Sequence, residues 1–160
     1  MAILKIIKDG DPLLRQKSRE VTEITPRIIR LLDDMTDTLH KANGCGLAAV
    51  QVGVLRRIVL VEVEDGKLYE MINPVITHRS EDIQEELEGC LSLPGKWGIT
   101  RRPKTVTVEA TDRNGNRYSV TGSDLLARAI CHECDHLDGV LYSDNSVHML
   151  TPEEIKEYIG

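Results

Sequence analysis

Apolar residues at Ile28, Leu32, Met35 and Leu39 recur at intervals of three and four, the spacing of one helical face. Thr25 followed by Pro26 opens that helix, and Gly44 is placed to end it. The pattern then changes. Runs rich in β-branched residues, "RIVLVEV" at 57–63, "YEMINPVI" at 69–76, "KTVTVEAT" at 104–111 and "RYSVTG" at 117–122, predict strands, and Asn114-Gly115 predicts a hairpin turn between the last two. A second long helix is capped by Ser123 or Asp124 and runs to a stop at Gly139. Thr151-Pro152-Glu153-Glu154 has the form of a capping box at the start of a last short helix. This order predicts an α+β fold in which short, mostly antiparallel strands pack around a central helix. Residues 1–160 are expected to form a single domain.

Composition narrows the classes. The chain has no Phe, one Trp and four Tyr, so Leu, Ile, Val, Ala and Met must fill the core. A net charge of -6 offers no footprint for non-specific nucleic-acid binding, and Arg101, Arg102 and Lys104 read as the solvated start of a strand. The apolar run at the amino terminus is short and broken by Lys5 and Lys8, which fits neither a signal peptide nor a membrane span and makes a cytoplasmic location the expectation. In a reducing compartment the four cysteines are metal ligands, catalytic groups or small buried apolar residues sooner than disulfide partners.

The candidate chemistry sits in the second long helix, in "AICHECDHLDG" at 129–139. Cys131 and Cys134 have the C-x-x-C spacing of a dithiol, whereas His132, Glu133 and His136 form H-E-x-x-H. At about 100° per residue the two histidines lie about 40° apart, while Cys134 points about 160° away. The histidines can therefore share a metal that Cys134 cannot reach. Cys131 also lies about two turns past the helix start, where no free N–H groups remain to lower a thiol pKa. Glu133, beside the first histidine, is placed to hold a water and take its proton.

An open catalytic site wants a third protein ligand. The extended metzincin pattern fails, because Tyr142 stands where its last histidine would be. Glu153, Glu154 and Glu157 lie in a charged terminal segment with the look of a solvated face, His40 suits a helix end, and His78 and His148 have no informative context. The better candidate is Cys90 in "EGCLSLPG" at 88–95, where a Gly-Cys step and a Pro-Gly step keep the backbone tight and uncrowded; a buried loop cysteine is the plain alternative. A second glycine-rich stretch, "GCGLAAVQVG" at 44–53, reads as a strand that another extended backbone could approach, and it lacks the Lys and Ser/Thr of a phosphate loop.

Taken together, "GCGLAAVQ" at 44–51, "EGCLS" at 88–92 and "HECDH" at 132–136 resemble the motifs of peptide deformylase, and the resemblance extends from "DPLLR" through "INP" to "HLDGVLY". It implies a metal-dependent hydrolase acting on a linear amide, releasing formate from the N-formylmethionine of newly made polypeptides. It further implies that Cys90, His132 and His136 bind one divalent metal, Fe2+ in the first place with Zn2+, Ni2+ or Co2+ able to substitute. Glu133 would be the acid/base, with Gln51 and the Leu91 N–H stabilising the oxyanion. Gly44, Gly46 and Leu47 would pair with the substrate backbone, and Cys45, Leu125 and Ala129 would line the methionine pocket. The chain departs from relatives at Val50, Cys45, Cys131 and Cys134, none of which removes a catalytic group. Its tail ends at Gly160, whereas some bacterial relatives continue into a basic helix implicated in ribosome docking, so docking is not carried over. The alternative is another H-E-x-x-H metallopeptidase that cleaves internal peptide bonds.

Overall fold

The computed structural model describes residues 2–63 and 66–159. In chain order the elements are α1 (Pro26–Ala42), β1 (Gly46–Ala48), a 3-10 turn (Ala49–Val52), β2 (Ile58–Glu62), β3 (Leu68–Arg79), β4 (Ile83–Cys90), β5 (Leu93–Pro103), β6 (Thr105–Thr111), β7 (Arg117–Ser123), α2 (Leu125–Leu137), α3 (Tyr142–Asn145), β8 (Ser146–Met149) and α4 (Pro152–Ile159). A five-stranded sheet in the order β1-β2-β3-β6-β7 and a three-stranded sheet in the order β4-β5-β8 are both antiparallel. The α+β arrangement around the H-E-x-x-H helix is as expected.

The alternation along β2 explains why α2 is central. Ile58 and Leu60 pack with Leu32, Met35 and Leu39 of α1, whereas Val59 and Val61 pack with Ala127, Ile130 and Leu137 of α2. With a period of two, one strand supplies both cores, so "IVLV" is apolar at every position. The larger sheet is thus covered by a helix on each face.

Local signals account for most boundaries. Thr25 accepts a hydrogen bond from Ile28 N at the start of α1. Thr151 and Glu154 close a reciprocal capping box at α4. Two details differ: Asn43, not Gly44, adopts the left-handed conformation that ends α1, and Asp124 precedes α2 without a side-chain cap. The turn at 112–116 is held by Asp112 Oδ1, which accepts from Asn114 N and Asn116 N.

The β4-β5 hairpin has no counterpart among the strands that the local pattern predicts. In β4 the acidic residues mask the alternation, and in β5 Pro94, Gly95 and Gly98 mimic a loop. The glycine-rich stretch at 44–53 is only partly strand, since it passes after Ala48 into a 3-10 turn. Arg102 corrects a second expectation. It is not a solvated residue at the start of a strand but is buried at 6% exposure, whereas Arg101 and Lys104 are exposed. No helix among the described residues is long and apolar enough to cross a membrane.

Candidate metal centre

Cys90 stands at the end of β4, in register with Leu93, with Leu91 and Ser92 forming the two-residue turn between them. This hairpin end meets α2, which presents His132 and His136 one turn apart. One donor atom from each of Cys90, His132 and His136 lies within 4.8 Å of the others, and Cys90 Sγ is 3.4 Å from His136 Nε2. Metal–donor bonds of about 2.0–2.3 Å in a tetrahedron put neighbouring donors about 3.4–3.7 Å apart, a spacing that the Cys90–His136 pair already has. The donor chemistry, one sulfur and two imidazoles, fits a small divalent cation as well. His136 Nδ1 is buried without a hydrogen-bond partner. Glu153, Glu154 and Glu157 contribute nothing to this group; Glu154 instead bonds His148.

Residues that the sequence reading passed over hold His132 in place. Glu88 Oε2 lies 2.5 Å from His132 Nδ1, which turns Nε2 toward the site. Glu88 also accepts from Arg102 Nη2 at 2.7 Å and from Thr100 Oγ1 at 2.8 Å, and Arg102 Nη1 donates to Asp135 at 2.6 Å. Burial alone would push the Glu88 carboxyl up, but the bonds to His132 and Arg102 outweigh it and hold the group at about 2. Burial likewise works against the Arg102 guanidinium, yet Glu88 and Asp135 keep it firmly charged. Tyr142, where a metzincin would have histidine, lays its ring on His132 with centroids 5.8 Å apart. Glu88 lies two residues before Cys90, but the acidic run around it masks the strand, and Tyr142 carries no local signal for its place on His132.

Glu133 is buried, with Oε2 4.0 Å from His132 Nε2 and Oε1 lacking a partner. Burial raises its carboxyl to about 7. Gln51 is buried beside it: Oε1 accepts from Ala48 N at 2.9 Å, and Nε2 lies 3.1 Å from Ser92 Oγ and 3.6 Å from Cys90 Sγ. Burial pushes Cys131 up to about 11 and Cys134 up to about 12, the opposite of an activated dithiol. Both pack against the core between α2 and the larger sheet.

Gln51, Cys90, His132 and Glu133 face a cleft of about 560 Å³. Its walls include Gly44, Cys45, Gly46, Gln51, Cys90, Leu91, Leu125, Ala129, His132 and Glu133. Leu47 is different: its side chain is fully buried against α1, so only its backbone is left to meet a ligand. β1 pairs with β2 on one side only and ends the larger sheet.

An α+β fold that brings a strand-end cysteine against the two histidines of an H-E-x-x-H helix, beside a cleft, defines a metal-dependent hydrolase. The particular family follows from comparison with known proteins. The family model described as polypeptide deformylase matches residues 3–151. The peptide deformylase of Finegoldia magna is 51% identical over 158 residues, covering 98% of this chain and 96% of that protein. That of Caldanaerobacter subterraneus subsp. tengcongensis is 51% identical over 156 residues, covering 98% and 97%. Among solved structures, peptide deformylase from Ehrlichia chaffeensis in complex with actinonin superimposes with a TM-score of 0.89 at 36% identity, covering 99% of this chain and 95% of that one. The chain belongs to the peptide deformylase family.

Proposed function

We propose that this chain removes the formyl group from the N-formylmethionyl end of newly made polypeptides, as one catalytic domain working in the cytoplasm. Cys90, His132 and His136 would hold the metal, with Fe2+ as the native ion and Zn2+, Ni2+ or Co2+ as substitutes. The observation that carries this reading is the convergence of those three donors, within 4.8 Å of one another, beside the buried Glu133 and an open cleft. A divalent cation there supplies Lewis acidity and makes water a better nucleophile at neutral pH.

The chain's own residues do the rest. Water adds to the formyl carbon, the C–N bond breaks, and formate and a free amine result. Glu133, raised to about 7 by burial, takes the proton of the attacking water and returns it to the leaving nitrogen. Gln51 Nε2 and the Leu91 N–H face the oxygen that gains charge, where each well-placed donor contributes on the order of 10²-fold. The unpaired edge of β1, with Gly44, Gly46 and Leu47, receives the substrate backbone as an added strand. Cys45, Leu125 and Ala129 contact the methionine side chain.

The test is formate release from a formyl-Met peptide, its acetyl analogue and an unformylated peptide, with metal content measured on the same anaerobic preparation. Formate from the first substrate alone is expected. Cleavage of an internal bond in the unformylated peptide would instead establish an endopeptidase. No observation favours that second reading.

A further inference from the structure

The cleft carries a charge opposite to that of the chain. The protein as a whole has a net charge of -6, yet the charged side chains lining the cleft are Lys8, Lys96, Arg128, Glu88 and Glu133, with the imidazole of His132 among them. Both carboxylates are buried. Glu88 is neutralised by Arg102, and Glu133 belongs to the reaction itself. The accessible charge of the rim therefore comes from the two exposed lysines and the half-buried arginine.

None of the three cations forms an ion pair among the described residues. Lys8 Nζ reaches only a carbonyl, Leu91 O, at 3.4 Å. Arg128 Nη1 donates to the neutral amide of Gln84 at 3.0 Å. The backbone of Lys96 is anchored where its carbonyl accepts from Tyr142 Oη at 3.2 Å. Asp124, four residues before Arg128, pairs with Lys104 at 3.0 Å, and Asp9 keeps its charge but bonds Gly10 N at 3.0 Å and forms no ion pair with Lys8. Three cations without counter-ions around a concave opening attract negative charge more strongly than the same cations on a convex surface.

We propose that Lys8, Lys96 and Arg128 select substrates with acidic residues in the positions that follow formylmethionine. The inference rests on the deformylase reading, because it assumes that a peptide extends from the metal centre across this rim. The ligand chemistry is a carboxylate, which a peptide could present as a side chain or as its own carboxyl terminus. Acidic side chains are the favoured source, since a newly made chain extends beyond the cleft and has no free terminus there.

The experiment compares kcat/KM for formate release from C-terminally amidated formyl-Met-X-X-Ala peptides with X as Glu, Gln or Lys. The expected order is Glu, then Gln, then Lys. Glu should exceed Lys about tenfold at low salt, falling to about twofold or less in 1 M salt, where the screening length is about 3 Å. The exposed pair Lys8→Gln/Lys96→Gln should reduce the low-salt ratio to about threefold or less, and Lys8→Glu/Lys96→Glu should invert the order. Equal rates for the three peptides, or a ratio that neither double variant changes, overturns the proposal. So does an acidic preference seen only when the same peptides carry a free terminal carboxylate. Failure to release formate from any formyl peptide is a separate result, which overturns the deformylase reading itself and the rim selection with it.

Discussion

The carboxylate of Glu133 occupies the space that a side chain at position 46 would need: a β-carbon built on Gly46 would stand 2.5 Å from Glu133 Oε2. Gly46 lies in β1 with a negative φ, so its backbone conformation does not require glycine; the neighbouring carboxylate does. Gly46→Ala should therefore fold and keep its metal, because none of the three donor residues is touched. Turnover should fall by about 10²-fold or more as the displaced carboxylate loses its alignment. Metal content together with kcat for formate release checks this, and unchanged turnover would show that the position of Glu133 is unimportant.

Gln51 tests the oxyanion assignment. Gln51→Leu should lower turnover by about 10²- to 10³-fold with metal retained. It should also lower the thermal midpoint, because Ala48 N and the fully buried Ser92 Oγ lose their partner. Full activity in the folded variant would remove Gln51 from the site.

Glu88→Gln keeps the shape of the side chain and removes its charge. It leaves Arg102 buried with Asp135 as its remaining anion, which should cost about 2–3 kcal/mol. Looser orientation of His132 should weaken metal binding about 10- to 100-fold, measured as metal loss to a competing chelator. The pH dependence has a definite sign. The folded-state pKa of Glu88 is depressed to about 2, so its stabilising contribution is complete above the ordinary carboxyl range and is lost as pH falls from about 4.5 toward about 2. Denaturant midpoints of wild type and variant should differ most at neutral pH and converge through that acid window. A constant gap would place the stabilisation elsewhere.

The cysteines of β4 and α2 should give a crossed pattern. Cys90→Ser replaces a thiolate donor by a neutral hydroxyl and should lose metal and formate release while the fold persists. Cys134→Ser places a hydroxyl among the apolar neighbours of the core and should cost about 1–3 kcal/mol with metal and turnover intact. Metal content, formate release and thermal midpoint of both variants decide the matter. Metal lost from Cys134→Ser and retained by Cys90→Ser would reverse the assignment.

What the sequence determined by itself is what local spacing controls. His132 and His136 share a helical face because four residues make about one turn, and Cys134 is excluded from it for the same reason. Thr25, Thr151 and the Asn114-Gly115 turn were equally legible, since caps and turns are satisfied within a few residues. The motifs at 44–51, 88–92 and 132–136 carried the family through their resemblance. The tertiary structure decided what depends on meetings between distant segments. Arg102 reads as a solvated charge and Glu88 only as part of a motif until the β4-β5 pairing buries them together against His132, 44 residues from Glu88 in sequence. The ring of Tyr142 on His132 and the carboxylate of Glu133 against Gly46 arise in the same way. No periodicity records such contacts, because each depends on strand register and helix docking, which long-range burial sets and the local pattern leaves open.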